Sequence, residues 1–403
     1  MTKPLEDHDD PDVVVVGGCG HVGLPLALAL ADRGLSVVSY DINEHAVKTV
    51  NAGSLPFMEK GADEVLNRVL ANGRYRASTG AQAVGVASTV IMVIGTPVDE
   101  HLNPDPYAVP RALDEVAPFL TNGQLLVLRS TVYPGVTRRV EKLLRQRDLD
   151  IEVAFCPERI AEGKAMEELF DLPQIVSART QATRDRAAAV FSRLTDSIVE
   201  LEPEEAELAK LFTNTWRYIK FAAANQFYVM ANDHGLDFDR IRHAIRHDYP
   251  RAADMPGPGF AAGPCLFKDT MQLAAFTDNT FVLGHSAMLV NEGLPLYVVS
   301  RMEAQHDLEN MTVGILGSAF KAESDDTRSS LAYKLKRILQ FRANKVLMTD
   351  PYVTSDPNLV PLEAVLDESD IMIIAAPHQV YSGLSSDKPV LDVWNLLGRG
   401  TRI

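Results

Sequence analysis

Short apolar runs alternate with helical patterns through the first 155 residues of the chain. The runs are rich in Val, Ile and Leu, and they lie at Val13–Val16, Ser36–Tyr40, Val90–Ile94, Leu125–Leu128 and Ile151–Phe155. Runs of this length, bounded by glycine or polar residues, are typical of parallel strands buried on both faces. The alternation with helices therefore predicts an α/β domain, which we assign to residues 1–200.

The next hundred residues show only helical spacing. An uninterrupted helical pattern runs from Glu202-Pro203 to His234-Gly235, and at 1.5 Å per residue such a helix spans about 45 Å. Lys210 and Asn214 are four residues apart and should lie on one side of it. Shorter helices are expected from Leu236 to Arg251 and from Leu266 through Asn291. We predict an all-α domain over residues 201–303.

From Met311 the pattern of the first domain restarts, which predicts a second α/β domain over residues 304–403. The expected strands are Thr312–Leu316 and Lys345–Thr349, with a helix through Leu331 to Leu339. The run from Ile371 to Pro377 resembles the run from Ile91 to Pro97. Asp350 follows its strand as Asp41 follows Ser36–Tyr40. The repeat lacks a glycine fingerprint, so we do not expect a second dinucleotide.

Composition narrows the classes of partner. Of 403 residues, 54 are acidic and 39 basic, and a net charge of -15 argues against a nucleic-acid or anionic-membrane surface. No apolar run approaches the ~20 residues of a membrane span. Residues 1–11 are polar and acidic, which predicts no signal peptide. The three cysteines indicate a reducing cytoplasm without disulfides, and no metal site is expected.

A glycine-rich turn follows the first strand. Gly18, Gly20 and Gly23 form Gly-x-Gly-x-x-Gly between strand and helix, and Asp41 comes 21 residues after the second glycine. This context predicts a dinucleotide whose pyrophosphate lies at the helix N-terminus and whose ribose binds the carboxylate. A carboxylate would repel a 2′-phosphate, so NAD is expected over NADP. The alternative is a tight turn without a ligand.

Polar residues directly follow three of the expected strands. Thr96, Thr131 and Glu158 come just past the ends of successive strands, where ligands of open α/β sheets bind. They are therefore candidates for the site. Glu158 can equally be a solvated loop acid, and Cys156 is expected to be a packing residue.

The stretch from Pro256 to Asp269 combines three glycines, three prolines and one cysteine. Gly263-Pro264 predicts a helix start with proline at the first helical position, which places Cys265 in the first turn. The helix dipole and Lys268 would both favour its thiolate. The alternative is a buried structural cysteine.

Two cations precede the expected helix of the last domain. Lys321 and Arg328 lie in the turn and helix start equivalent to the glycine turn, where they can hold a diphosphate. The alternative is ordinary surface cations. His378 is expected to belong to a structural turn.

Taken together, the motifs resemble the UDP-glucose/GDP-mannose dehydrogenase family over nearly the whole chain. They are Gly20-His21-Val22-Gly23-Leu24-Pro25, Gly95-Thr96-Pro97, Ser130-Thr131-Val132, Pro157-Glu158, Lys210 with Asn214, Gly263 to Asp269, Phe320-Lys321 and Asp326-Thr327-Arg328. The resemblance implies two Rossmann-like doubly wound domains joined by a long central helix and an all-α middle domain. It also implies NAD-dependent four-electron oxidation of a nucleotide-sugar C6 alcohol to a carboxylate.

The resemblance assigns catalytic roles to six residues. Cys265 would capture the aldehyde as a thiohemiacetal, whose oxidation gives a thioester. Lys210 and Asn214 would stabilise the developing oxyanion, and Lys210 would assist the first proton removal. Asp269 with Thr131 would hold a catalytic water, and Glu158 would help to hydrolyse the thioester.

The resemblance also assigns binding roles. The residues implied for the cofactor are Gly18, Gly20, His21, Val22, Gly23, Asp41, Thr96, Thr131 and Lys268. Those implied for a UDP-sugar are Glu158, Arg159, Lys210, Asn214, Arg251, Phe260, Gly263, Lys321 and Arg328. Arg251 would reach a neighbouring subunit's site in a homodimer packed on the long helix.

Departures from the family pattern leave the sugar open. Arg159 to Gly163 is closer to the UDP-N-acetylhexosamine branch, whereas Pro264 to Lys268 is more like the UDP-glucose branch. Two other functions remain possible at this stage. One is a two-electron β-hydroxyacid dehydrogenase, and the other is a non-catalytic nucleotide-binding protein.

Overall fold

The computed structural model describes residues 10–96, 98–99 and 104–403. The expectation for the first nine residues, and the role of Pro97 in its motif, lie outside this part of the chain. The fold divides into two compact units, one ending at Phe212 and the other formed by Thr213–Ile403. Each unit is described by itself.

The described part of the first unit contains an eight-stranded sheet. Its strands are β1 (Val13–Val16), β2 (Val37–Tyr40), β3 (Tyr75–Ser78), β4 (Thr89–Met92), β5 (Leu125–Leu128), β6 (Glu152–Phe155), β7 (Gln174–Ala178) and β8 (Ile198–Leu201). The helices between them are α1 (Gly23–Asp32), α2 (Glu44–Asn51), α3 (Ala62–Ala71), α4 (Ala108–Val116), α5 (Val136–Gln146), α6 (Ala165–Asp171) and α7 (Gln181–Phe191).

The strand order is β3-β2-β1-β4-β5-β6-β7-β8, with β1 at the point where the order reverses. Every pair is parallel except β6 with β7. Val13–Val16 is buried at every position because helices cover both faces of the sheet. This confirms the α/β domain predicted from the alternating pattern, in the doubly wound arrangement that the family resemblance implies.

A single helix, α8 (Pro203–Asp233), extends through 31 residues and crosses the division between the units. It confirms the long helix predicted from the uninterrupted apolar spacing. Glu207 anchors its first turns, because its carboxylate accepts backbone N–H bonds from Gly135 at 2.6 Å and Thr137 at 2.8 Å. These donors lie at the start of α5, where a negative charge is favourable.

The second unit combines helices with a four-stranded parallel sheet. After α8 come α9 (Phe238–Arg246), α10 (Leu266–Phe276), α11 (Val282–Gln305), β9 (Thr312–Leu316), α12 (Leu331–Leu339), β10 (Lys345–Thr349), α13 (Leu362–Glu368), β11 (Ile371–Ile374) and β12 (Val390–Leu391). The sheet order is β10-β9-β11-β12. Strands β9 and β10 match their predicted bounds.

Two buried asparagines tie the helices of this unit to the glycine-rich loop. Asn225 on α8 accepts the Gly259 N–H at 2.9 Å and donates to the Gly259 carbonyl at 3.0 Å and to Asn291 at 2.9 Å. Asn291, on α11, donates to the Tyr218 carbonyl at 3.1 Å. Because both side chains are fully buried, these bonds fix the loop rigidly on the helices.

Two predicted helices of this unit had the wrong boundaries. The expected helix from Leu266 through Asn291 is two helices, because Asp278 and Asn279 adopt positive φ between them and break the hydrogen-bond ladder. The segment from Leu236 to Arg251 contains the shorter α9 and a separate 3-10 turn at Pro250–Ala252.

No helix in the described part of the chain is both long and apolar enough to cross a membrane.

Candidate active site

In the glycine-rich turn between β1 and α1, the backbone is open to a ligand at Gly20 but is closely packed at Gly23. A Cβ on Gly23 would lie 2.3 Å from the Gly17 carbonyl oxygen, so this residue must be glycine for strand and helix to pack. A Cβ on Gly20 would meet nothing closer than 3.7 Å. The backbone is therefore open at Gly20, where a pyrophosphate would approach.

Asp41 stands beside this turn at the end of β2. Its carboxylate accepts the Cys19 N–H at 3.0 Å and the Asn43 N–H at 2.9 Å, and these bonds orient it toward the glycines. The ring of His21 stacks on Phe57 with centroids 4.0 Å apart. The open glycine and the oriented carboxylate fit NAD, which would be held by Gly18 to Gly23 and by Asp41 at its ribose.

The threonines that follow β4 and β5 are brought together. The Thr96 hydroxyl donates to the Thr131 carbonyl at 2.6 Å, and the Ser130 hydroxyl accepts the Ile94 N–H at 2.6 Å. These bonds join the two loops at the carboxyl edge of the sheet. The sequence placed both threonines at this edge, and the structure makes them neighbours.

Glu158 is buried rather than solvated. Its Oε2 pairs with Arg129, and its Oε1 accepts the N–H groups of Arg159 at 2.7 Å and Ile160 at 3.1 Å. Arg129 also donates to the Cys156 carbonyl and to Gln174, each at 2.9 Å, and its guanidinium lies 4.6 Å from the Phe191 ring centroid. Glu158 therefore fixes the backbone of the first two residues of the loop that follows it.

Arg159, next in the chain, is only half-buried. Its guanidinium donates to the Pro173 carbonyl. Burial lowers the pKa of this arginine, and the charge of Glu158 opposes the shift. The structure thus holds the side chain against the protein at the start of the loop.

In the second unit, Cys265 occupies the N-cap of α10 and not its first turn. The predicted start at Pro264 was wrong because the first helical N–H bond runs from Asp269 to the Cys265 carbonyl, at 2.9 Å. Gly263 before it adopts φ +103°, which is non-helical. The cysteine still stands at the positive end of the helix dipole, and it is exposed rather than a buried structural residue.

Asp269 lies one turn into α10 and is fully buried. Its Oδ2 accepts a 2.6 Å hydrogen bond from the Asn214 amide, and its Oδ1 lies 3.3 Å from Lys268 Nζ. The long helix and the cysteine helix are therefore joined by a carboxylate one turn from the thiol. Lys210 is buried four residues before Asn214 on α8, as the spacing predicted.

Aromatic rings pack closely against two glycines of the loop that precedes Cys265. A Cβ on Gly263 would lie 2.6 Å from the Phe320 ring, and one on Gly259 would lie 2.2 Å from Trp394. The Gly263 N–H reaches the Ser329 carbonyl at 3.4 Å. Phe260 is buried against Trp394, with ring centroids 6.2 Å apart. The loop before the cysteine thus packs on the loop after β9, through Phe320, and on Trp394, which follows β12.

The predicted substrate cations occupy different settings. Lys321 Nζ lies 5.5 Å from the centroid of the Phe320 ring. This is the ring that packs against Gly263. Arg328 pairs with Asp326, with Nε at 3.0 Å and 2.9 Å from its two oxygens. Its expected place at a helix start was wrong, since α12 begins at Leu331 behind a Ser330 cap. Arg251 is exposed and donates to the Tyr249 hydroxyl at 3.2 Å.

The other two cysteines lie in the packed interior. Burial, with the charge of Asp41 adding to it, raises the pKa of Cys19 to about 12. Burial raises the pKa of Cys156 to about 12 as well. Cys156 is thus the packing residue that the sequence indicated. Among the described residues, no three His, Cys, Asp or Glu side chains cluster as a metal site.

Two polar residues near the site were missed from the sequence. Arg129 carried a usable signal, because a lone cation directly follows the apolar run Leu125–Leu128. Glu59 carried none, because it lies in an ordinary loop and its carboxylate bonds to Gly163 and Ala165, more than a hundred residues later. Side-chain to backbone contacts at that separation leave no periodic pattern.

Comparison with known proteins agrees with these features. Three family models of the UDP-glucose/GDP-mannose dehydrogenase family match the chain: the NAD binding domain at residues 12–195, the central domain at 204–292 and the UDP binding domain at 314–399.

Individual relatives span nearly the whole chain. A UDP-N-acetyl-D-mannosamine dehydrogenase of Yersinia pestis is 30% identical over 93% of this chain and 96% of its own. The structure of a UDP-glucose dehydrogenase from Pyrobaculum islandicum has a TM-score of 0.88 and 28% identity, covering 98% of this chain and 96% of that one. The UDP-D-ManNAc dehydrogenase structure from Pyrococcus horikoshii also has a TM-score of 0.88, at 27% identity and 95% coverage of both chains.

The doubly wound sheet of the first unit and the match of residues 12–195 to an NAD binding domain identify the class of protein as an NAD-dependent oxidoreductase. More particularly, the chain belongs to the UDP-glucose/GDP-mannose dehydrogenase family. It is an NAD-dependent nucleotide-sugar 6-dehydrogenase. The β-hydroxyacid alternative is not supported, because the family models that match the chain and the relatives that span it are those of nucleotide-sugar dehydrogenases.

Thiol labelling should distinguish the three cysteines. With native protein at pH 8, we expect one equivalent of a thiol reagent to react, because Cys19 and Cys156 are buried and their pKa values are raised to about 12. Cys265→Ser should remove that equivalent, while the control Cys156→Ser should retain it. Labelling of native Cys265→Ser at the wild-type rate would contradict the assignment.

Two glycine substitutions should separate packing from cofactor binding. Gly23→Ala should destabilise the fold by ~1–3 kcal/mol, because its methyl group overlaps the Gly17 carbonyl. Gly20→Ala should leave stability nearly unchanged but weaken NAD binding at least about tenfold by obstructing the pyrophosphate. Urea unfolding and NAD titration measure the two effects. Wild-type NAD affinity in Gly20→Ala would refute the placement of the pyrophosphate.

Proposed function

We propose that this enzyme oxidises C6 of a UDP-sugar from alcohol to carboxylate, with covalent capture of the aldehyde by Cys265. The observation that carries the proposal is an exposed cysteine at the N-cap of α10, one turn from a buried carboxylate. A thiolate is the nucleophile in such chemistry, and a helix N-terminus favours it over the thiol.

Cys265 accounts for the second half of a four-electron oxidation. Its thiolate adds to the C6 aldehyde and forms a C–S bond, giving a thiohemiacetal that has a hydride to lose. Loss of that hydride leaves a thioester, and water then releases the acid and the thiol. NAD, when bound, accepts one hydride from C6 in each oxidation. The balance is one alcohol, one water and two NAD consumed for one carboxylate, two NADH and protons formed.

Lys210 and Asn214 are assigned to the oxygen on C6. Both are buried and lie four residues apart on α8, so their donors face the same side. Such donors stabilise a developing oxyanion, each contributing roughly 3–4 kcal/mol in other enzymes. Lys210 also assists the first proton removal. The bond from Asn214 to Asp269 orients the amide for this role.

Hydrolysis of the thioester requires a positioned water. We assign its binding to Asp269, held by Asn214 and Lys268, and to Thr131. Glu158 was expected to help directly. Because its carboxylate already accepts bonds from Arg129, Arg159 and Ile160, we assign it to shaping the substrate loop instead.

The remaining side chains are assigned to binding. NAD contacts the glycine turn with His21 and Val22, Asp41, Thr96 and Thr131, and Lys268 is kept with this group. The UDP-sugar contacts the 159–163 loop, Phe260, Gly263, Lys321 and Arg328. The three-domain division at residues 200 and 303 is retained as a proposal, and the family models match segments on either side of both divisions.

We favour a UDP-N-acetylhexosamine as the sugar. The Yersinia pestis relative is a UDP-N-acetyl-D-mannosamine dehydrogenase, and a relative from Ralstonia nicotianae, 29% identical, is an NDP-N-acetyl-D-galactosaminuronic acid dehydrogenase. The Arg159 to Gly163 segment agrees with that branch. UDP-glucose is the second candidate, because the Pyrobaculum islandicum relative carries that name.

A homodimer packed on the long helix is also proposed. Four large apolar side chains on α8 are about half exposed: Phe212 at 52%, Trp216 at 59%, Phe227 at 47% and Met230 at 53%. They lie at helical spacing on one face, and such a face on a soluble protein favours association. Arg251 is kept as a candidate to reach the partner's substrate.

We assign the enzyme to the cytoplasm, where NAD and nucleotide sugars are available.

The decisive measurement is NADH yield per sugar. With limiting UDP-N-acetylmannosamine, UDP-N-acetylglucosamine or UDP-glucose, the true substrate should give two NADH and one carboxylate. Cys265→Ser should reduce the rate by at least about a thousandfold while leaving NAD affinity intact. One NADH per sugar, or wild-type turnover by Cys265→Ser, would overturn the proposal.

The dimer can be tested with a surface charge. Phe227→Glu should convert the dimer to a monomer in sedimentation experiments, because a carboxylate cannot be buried unpaired at an apolar contact. Phe341→Glu is the matched control, since Phe341 is 89% exposed and follows α12 rather than belonging to α8. A monomeric wild-type protein would contradict the proposal.

A further inference from the structure

The loop after Glu158 is held by carboxylates from three places in the chain. Glu158 accepts the first two N–H groups of the loop, as described above. Glu168 accepts the Ala161 N–H at 2.6 Å. Glu59 accepts the N–H groups of Gly163 and Ala165, each at 2.8 Å. The path of residues 159–165 is thus set by hydrogen bonds from its backbone to charged acceptors.

Glu59 is the distant member of this set. It lies between α2 and α3, is only 4% exposed, and uses a different oxygen for each of its two bonds to the loop. Bonds to an ionised acceptor are stronger than neutral ones. Because a buried carboxylate is costly unless its oxygens are satisfied, the loop and Glu59 stabilise each other in one arrangement.

The same segment contacts the glycine-rich turn. Phe57, two residues before Glu59, stacks on His21 with a 4.0 Å centroid distance and planes 29° apart. Residues 57–59 therefore touch the cofactor side of the first unit through an aromatic ring and the 159–165 loop through a carboxylate.

We propose that Glu59 is a positioning residue for nucleotide-sugar binding, acting through the 159–165 loop. The segment 57–59 fixes that loop relative to the glycine turn, so that the loop is preformed before the sugar arrives. Preforming it removes the conformational entropy cost of ordering the loop on binding. The proposal rests on the proposed function only in taking this loop to contact the sugar.

The test is Glu59→Gln, which keeps the size of the side chain. One loop N–H keeps an oxygen acceptor, whereas the other then faces an amide NH₂ group. Amide hydrogen exchange at Gly163 and Ala165 should accelerate about tenfold, with exchange in Val13–Val16 unchanged. The KM for the UDP-sugar should rise about tenfold, while kcat and the KM for NAD stay within about twofold. A merely structural role would instead lower the folded fraction and the apparent kcat, without a selective rise in the KM for the UDP-sugar.

Glu64→Gln is the matched control, because Glu64 is exposed on α3 only five residues away. It should change neither exchange nor kinetics. Unchanged loop exchange in Glu59→Gln, or an unchanged KM for the sugar, would overturn the proposal. If the unsubstituted protein oxidises no UDP-sugar, the proposed function fails, and the exchange rates alone then decide whether Glu59 positions the loop.

Discussion

The cost of burying a carboxylate is the constraint on which the local structure of both units depends. Asp269, Glu158, Glu59 and Glu207 are each at most 7% exposed. Since an unpaired buried charge is far more costly than an exposed one, each of them has bonded partners, mostly backbone N–H groups or cations. Every such bond fixes a turn or helix end that the apolar core alone would leave loose. At Asp269 the partners are also groups assigned to the reaction, so satisfying the charge orients the chemistry.

The two α/β sheets use this constraint for different purposes. Asp41 follows β2 and accepts the Cys19 N–H, and Asp350 follows β10 and accepts the N–H groups of Ser318 and Ala319. At Asp350 the buried His378 adds a contact at 3.1 Å, and the pKa of the aspartate is held well below its usual value, with burial opposing that shift. The second turn is thereby closed by protein groups, whereas the first stays open at Gly20. Of the two turns, the first is therefore the one whose backbone fits a dinucleotide.

Much of this architecture was predictable because periodic apolar patterns record burial. Val13–Val16, Leu125–Leu128 and the long helix were located from spacing alone, and the mirrored Asp350 followed from the repeat. The start of α10 was misplaced because a loop proline can precede a cap as readily as occupy the first turn. Arg129 left a signal as a lone cation after an apolar run, whereas Glu59 left none because its bonds connect loops far apart in sequence. Spacing reports which face of an element is buried, but not which loop a charged side chain reaches.

The type of reaction and the choice of sugar differ in the same way in how far the sequence predicts them. Capturing an aldehyde needs an accessible thiolate in a positive electrostatic potential. Because few residues meet that requirement, Cys265 stands out in the sequence. Selecting one hexose over another needs only small differences in the shape of loops such as 159–165 and 256–264. Those shapes are set by backbone N–H bonds to carboxylates and by rings such as Phe320 and Trp394 against glycine. With the sugar assigned to these loops, its selection depends on contacts that the sequence encodes only through the fold, whereas the reaction depends on the type of one residue.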